Sequence, residues 1–194
     1  MKTPVVLASG SPRRAELLRS LGIAFDISPP DVDEHVRPGE GPRHYVRRVA
    51  RAKASAAMRE GALIVAADTI VVLHGTIIGK PIDRDDARTI LRSLAGRTHT
   101  VSTGVALAFG GAFAEDVIDT AVTMAAITDA DLDWYVTSGE PDDKAGAYGM
   151  QGTGNVFVER ISGSPSNVIG MPLATVVRLA RSLGVELLNS DPAR

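Results

Sequence analysis

Hydrophobic residues fall into two kinds of run along the chain. Residues 5–8 (VVLA) and 63–67 (LIVAA) are short and continuously apolar, which predicts strands buried on both faces. Elsewhere the apolar positions recur at helical spacing. Leu17, Leu18 and Leu21 share one face of a predicted helix over 12–21, with Ser11 suited to the N-cap, Pro12 to the first helical position and Gly22 to the position past the end. Tyr45, Val49, Ala52 and Ala56 define the inward face of a second helix over 42–58, with Arg43, Arg47, Arg48 and Arg51 mostly outward. Asp83 caps a third helix that runs through Leu94 and closes at Gly96. Thr128 and Asp131 form a capping-box pair for a fourth helix through Val136, and 173–183 predicts a last one.

The remaining runs are β-rich. Residues 25–28 predict a short strand, ended by Pro29-Pro30. The strand over 63–67 is expected to stop at Asp68, and 70–73 with 76–78 to form a hairpin around His74-Gly75. Long runs over 98–109 and 112–125 meet at Gly110-Gly111 as a second hairpin, and 156–161 is a further strand. Residues 139–154 are glycine-dense and irregular, and 189–194 read as a frayed tail. Crossovers mixed with hairpins specify an α/β protein with a mixed sheet and flanking helices. At 194 residues one domain over the whole chain is expected.

Composition narrows the chemistry. The absence of cysteine excludes disulfides, thiolate catalysis, iron–sulfur clusters and cysteine-based zinc sites. A formal net charge of −2 does not suggest broad binding to nucleic acid or to an anionic membrane, so any phosphate chemistry must rest on a few placed cations. The apolar run near the N-terminus is too short for a signal peptide or a membrane span, and a soluble cytoplasmic protein is the expectation.

The strand-to-helix turn Ser9-Gly10-Ser11-Pro12-Arg13-Arg14 is the first candidate. Acidic residues are normally favoured in a helix's first turn, because free N–H groups and the dipole make it positive. Here Arg13 and Arg14 stand there, and a bound anion would reverse the cost. The plain alternative is a capped helix with solvated arginines. Asp68 follows a buried strand, where a carboxylate can hold Mg²⁺ or activate a water; taken alone, a turn-forming aspartate between two strands is the slightly favoured reading. Asp31, Asp33 and Glu34 supply hard oxygen ligands suited to Mg²⁺ or Mn²⁺, or a solvated charge run. Asp31-Val32-Asp33 matches the Asp-x-Asp of haloacid-dehalogenase phosphatases, but Pro29-Pro30 denies it the preceding buried strand. Lys53 and Lys80 could neutralise phosphate oxygens, though exposed lysines are common. The loop 142–154, with Lys144, Tyr148 and Gln151, has glycines that let backbone approach a ligand, or is a surface loop. His35, His44, His74 and His99 show no metal-ligand spacing.

Together these segments resemble the Maf family. The matching pieces are LASGSPRRAELL (7–18), VDE (32–34), Ala52-Lys53-Ala54, AADTIVVL (66–73), GKP (79–81), KAGAYGMQG (144–152) and GMPL (170–173), in the family's order. The resemblance implies an elongated α/β fold with two lobes around a cleft, related to the inosine triphosphatase architecture. It implies hydrolysis between the α and β phosphates of a nucleoside triphosphate with a divalent cation, Mg²⁺ or Mn²⁺. Asp68 matches the family's proton acceptor. Arg13, Thr69 and Gln151 match its specificity positions, and Ser9, Arg14, Glu34, Lys53 and Lys80 match other polar residues of the cleft; Glu34 and Asp68 are the expected metal ligands. AYGMQG resembles the subgroup acting on dTTP and UTP. Pro165 departs from the family, which usually has an aromatic residue there, so the shape of that loop and fine substrate preference are open. Family habit implies a homodimer. The competing classes are a nucleotide-binding regulator of cell division with little turnover and a monophosphatase that would release orthophosphate.

Overall fold

The computed structural model describes residues 3–188; the tail expected over 189–194 lies outside them. Strands β1 (Val5–Leu7), β2 (Asp26–Ile27), β3 (Leu63–Leu73), β4 (Thr76–Ile78), β5 (Thr98–Phe109), β6 (Ala112–Met124) and β7 (Val158–Ser162) make one sheet in the order β2-β1-β3-β5-β6-β7, with β4 paired to β3. The helices are α1 (Pro12–Arg19), α2 (Pro42–Ala56), α3 (Arg84–Leu94), α4 (Asp129–Thr137), α5 (Pro165–Ile169) and α6 (Leu173–Ser182). Strand β1 pairs in parallel with both β2 and β3, whereas β3–β4 and β6–β7 are antiparallel. The fold is therefore α/β with a mixed sheet and flanking helices, as the hydrophobic pattern specifies.

The chain forms two compact units. The first comprises the described residues of Met1–Asp68, Thr103–Ile118 and Gly170–Arg194; the second comprises Thr69–Ser102 and Asp119–Ile169.

In the first unit the strand period of two sorts side chains onto opposite faces. Val5 and Leu7, Leu63 and Val65, and Val105 and Leu107 pack with Ala15 and Leu18 of α1 and with Val176, Leu179 and Ala180 of α6. Val6 and Ala8, Ile64 and Ala66, and Ala106 and Ala108 pack with Ala50 and Ala54 of α2. The α2 face is lined almost entirely by small residues, so helix and sheet approach closely. At Gly104 the approach is extreme: a Cβ there would lie 2.2 Å from the Val46 carbonyl oxygen. Only glycine fits.

In the second unit a separate core gathers Val71 and Leu73 of β3, Ala87, Leu91 and Leu94 of α3, and Leu132, Tyr135 and Val136 of α4. The caps follow the sequence. Asp83 accepts the Asp86 N–H at 2.8 Å, and Thr128 and Asp131 form a reciprocal capping box. Two expectations change. The strand expected over 156–161 begins only at Val158, because Thr153–Phe157 coils into a 3-10 helix. Pro165 opens α5, a short helix not anticipated, in the first-turn position where proline's fixed φ and missing N–H cost nothing.

The larger correction concerns Asp68. It does not end a strand: β3 continues through it from Leu63 to Leu73. The β-branched residues Thr69, Ile70, Val71 and Val72 favour extended backbone, and the charge at Asp68 is tolerated because the Lys53 ammonium meets it.

Candidate active site

The pleat that separates the two faces of β3 also aims Asp68. Residues 64, 66 and 68 share the α2 side, so Asp68 emerges beyond Ala66. On α2, Lys53 lies beside Ala50 and Ala54, which cover that strip. The Lys53 Nζ donates to Asp68 Oδ1 at 2.8 Å and lies 2.9 Å from Glu34 Oε1. Lys53 and Asp68 are nearly enclosed, with 9% side-chain exposure each, whereas Glu34 keeps 51%. One ammonium thus stands between a buried carboxylate and a half-open one. Isolated ionised groups at that depth would be very costly; paired, they persist.

Strand β1 delivers the second part. Ala8 continues its pairing, donating to the Val65 carbonyl at 2.9 Å, and the chain turns at buried Ser9. Ser11 caps α1 with Pro12 in the first helical position. The Ser9 hydroxyl accepts the Ser11 N–H at 3.2 Å and Arg14 Nη1 at 3.1 Å, and Arg14 Nε donates to the Gly170 carbonyl at 2.9 Å. The Arg14 guanidinium is therefore fixed from two sides. Burial presses it below the ordinary arginine value, and the neighbouring Arg13 charge adds to this, while Asp68 and Glu34 oppose it. The same carboxylates act on Tyr45, whose hydroxyl is pushed up to about 12, first by burial and then by Asp68 and Glu34. Ser9, Arg13, Arg14, Glu34, Lys53 and Asp68 thus belong to one electrostatic neighbourhood of the first unit.

Thr69, Lys80 and Gln151 belong to the second unit. Thr69 is half-buried in β3, and Lys80 and Gln151 are exposed. The Gly79 carbonyl accepts the Gly146 N–H at 3.0 Å, which ties the loop of Lys80 to the glycine-dense segment. Gly146 has φ +75°, and a Cβ there would press into Val71 at 2.7 Å. The segment carrying Gln151 is organised by Glu140, whose carboxylate accepts from Tyr135 Oη (3.0 Å), the Thr153 N–H (2.8 Å), Thr153 Oγ1 (2.6 Å) and the Gly154 N–H (3.1 Å). These bonds hold its carboxyl below the usual carboxylate range against the opposing effect of burial. Sequence reasoning missed Glu140, since nothing in Glu-Pro-Asp-Asp distinguishes one acid from the next. It also missed Arg48, taken as an outward arginine.

The expected divalent cation would call for hard oxygen donors. Among the described residues no group of three or more His, Cys, Asp or Glu side chains gathers to hold a metal. Asp68 and Glu34 remain as two carboxylates on one ammonium. Magnesium is commonly held by one or two carboxylates together with substrate phosphates and water rather than by an all-protein cage, and two carboxylates fit that mode.

A family model described as Maf-like protein matches residues 4–183. The chain belongs to the Maf family. Among its relatives, a protein named dTTP/UTP pyrophosphatase from Anaeromyxobacter dehalogenans (strain 2CP-C) is 51% identical, covering 99% of this chain and all of that protein. A second of that name, from Myxococcus xanthus, is 48% identical over 96% of this chain and 95% of its own. Among solved structures, a HAM1 protein from Coxiella burnetii is similar with a TM-score of 0.43 and 17% identity, covering 81% of this chain and 91% of that chain. No described helix of this Maf protein is long and apolar enough to cross a membrane.

Proposed function

We propose that this Maf protein is a nucleoside triphosphate pyrophosphatase, acting on dTTP and UTP and releasing the monophosphate and pyrophosphate, with the whole chain serving as one catalytic domain. The observation that carries the reading is the gathering of Ser9, Arg14, Glu34, Lys53 and Asp68 in one unit from four separate stretches of sequence. Its support from relatives is the name shared by proteins about half identical to it over nearly their full length.

The triphosphate lies along the Ser9–Arg14 turn, where α1 presents its first N–H groups and Arg13 and Arg14 add charge. Lys53 engages Asp68 through Oδ1, which leaves the second carboxylate oxygen to accept a proton from the attacking water. Arg13, Arg14, Lys53 and Lys80 stabilise charge on the phosphoryl oxygens as pyrophosphate leaves. Glu34 and Asp68 would hold a divalent cation, Mg²⁺ or Mn²⁺, which supplies Lewis-acid polarisation of the phosphate when bound. Thr69 and Gln151 contact the base, with Arg13 contributing to the choice among bases.

The experiment is a screen of standard and modified nucleoside triphosphates with Mg²⁺ and with Mn²⁺, scored separately for pyrophosphate and orthophosphate. Pyrophosphate from dTTP and UTP is expected. Orthophosphate alone would make the protein a phosphatase, and no release from any nucleotide would return it to the class of binding regulators.

A further inference from the structure

The loop between β2 and α2 has no regular structure from Ser28 to Gly41, apart from a turn at Pro38-Gly39, yet it must deliver Glu34 to Lys53. Three consecutive carbonyls of that loop are captured by side chains from α2. Arg48 Nη1 donates to the Asp33 carbonyl at 3.3 Å, Tyr45 Oη to the Glu34 carbonyl at 2.8 Å, and Arg48 Nη2 to the His35 carbonyl at 2.8 Å. Tyr45 and Arg48 are three residues apart, so they share a helix face, and the guanidinium lies 5.5 Å from the phenol ring centroid.

The guanidinium is itself held. Glu40 accepts Arg48 Nε at 2.7 Å through one oxygen and Nη2 at 2.8 Å through the other, a bidentate fork. Glu40 also accepts the Arg37 N–H at 3.1 Å, so the far arm of the loop closes on the same clamp. The next turns of α2 carry Lys53, the group that Glu34 meets. One rigid helix therefore holds both the backbone of Glu34 and the partner of its carboxylate.

We propose that Arg48 and Tyr45 are positioning residues that clamp the Asp33–His35 backbone and thereby present the Glu34 carboxylate to the site. This rests on the pyrophosphatase reading, with Glu34 as part of its machinery. A lysine cannot replace Arg48, because one ammonium cannot span two carbonyls and a carboxylate in a single plane.

The test uses the full chain with Arg48→Ala, Arg48→Lys, Tyr45→Phe and Glu34→Gln, alone and with Arg48→Ala and Glu34→Gln combined. Outer partners of this kind are typically worth about ten- to a hundredfold in activity or metal affinity. Arg48→Ala and Arg48→Lys should lower kcat/KM for dTTP by roughly tenfold or more and raise the Mn²⁺ concentration needed for half-maximal rate. Tyr45→Phe should do so to a lesser degree. In a chain already carrying Glu34→Gln, Arg48→Ala should cost nothing further, because groups acting through one another are not additive. Independently of turnover, peptides covering residues 31–40 should exchange amide hydrogens faster in Arg48→Ala than in the parent.

Unchanged exchange, or a full additional loss in the Glu34→Gln background, overturns the clamp. If the parent chain releases no pyrophosphate, the functional reading falls, and the exchange measurement still decides whether Arg48 holds the loop. If Glu34→Gln alone is as active as the parent, the clamp has no catalytic purpose and the proposal is refuted.

Discussion

Lys53 and Asp68 meet at 2.8 Å because two periods coincide: the alternation of β3 turns residue 68 toward α2, and the turns of α2 place residue 53 over that strip. Glu34 joins them from a loop. The ammonium is therefore both a structural counter-ion and a charge available to a phosphate, and removing it has consequences for stability as well as rate.

Lys53→Met leaves Asp68 buried without its partner. Breaking a buried pair by removing one member typically costs about 3–5 kcal/mol. Chemical denaturation should show a loss of that order, with most of it recovered when Asp68→Asn is added. A Lys53→Met chain as stable as the parent contradicts the buried pair.

Gly104→Ala tests the close approach of α2. The added Cβ would meet the Val46 carbonyl oxygen at 2.2 Å and the Arg47 nitrogen at 2.8 Å, both backbone atoms of a packed helix. Overpacking of this kind costs about 1–3 kcal/mol. A lowered Tm is expected, together with reduced turnover, since α2 carries Lys53. An unchanged Tm would mean that α2 yields freely.

His99 gives the second unit a pH dependence. Its ring is buried, its Nε2 lies 2.7 Å from Tyr148 Oη, and burial lowers its pKa to about 4. The unfolded chain takes up a proton near pH 6.5, well before the folded one does. This group therefore leaves stability untouched above about pH 6.5 and lowers it as pH falls toward 4, the total loss reaching roughly 3 kcal/mol. Urea unfolding at pH 7.5 and pH 5 should show this decline in the parent and a weaker one in His99→Asn. Equal declines would assign the pH dependence to other groups.

Much of this was legible in the sequence because it depended on local chemistry. Ser11, Asp83 and Thr128 cap where their side chains dictate, and the continuous apolar runs of β1 and the first half of β3 are buried on both faces. Asp68 misled for a tertiary reason: an acid after an apolar run looks like a strand end, and only the distant Lys53 allows the strand to continue. Arg48 misled likewise, since an arginine among arginines looks solvated until its carbonyl acceptors, supplied by residues 33 and 35, are in view. The helical period could place Lys53 on a face, but not say that Glu34 would reach it. Glu140 depends wholly on the loop it organises.

The most direct measurement is pyrophosphate release from dTTP by Asp68→Asn beside the parent chain, under saturating divalent cation and with both shown to be folded. The loss of a general base lowers kcat by about 10²–10⁴, and a drop in that range is expected with substrate binding largely retained. Parent-like turnover by the folded Asp68→Asn chain would contradict the account, because no other group in the first unit has been given the proton.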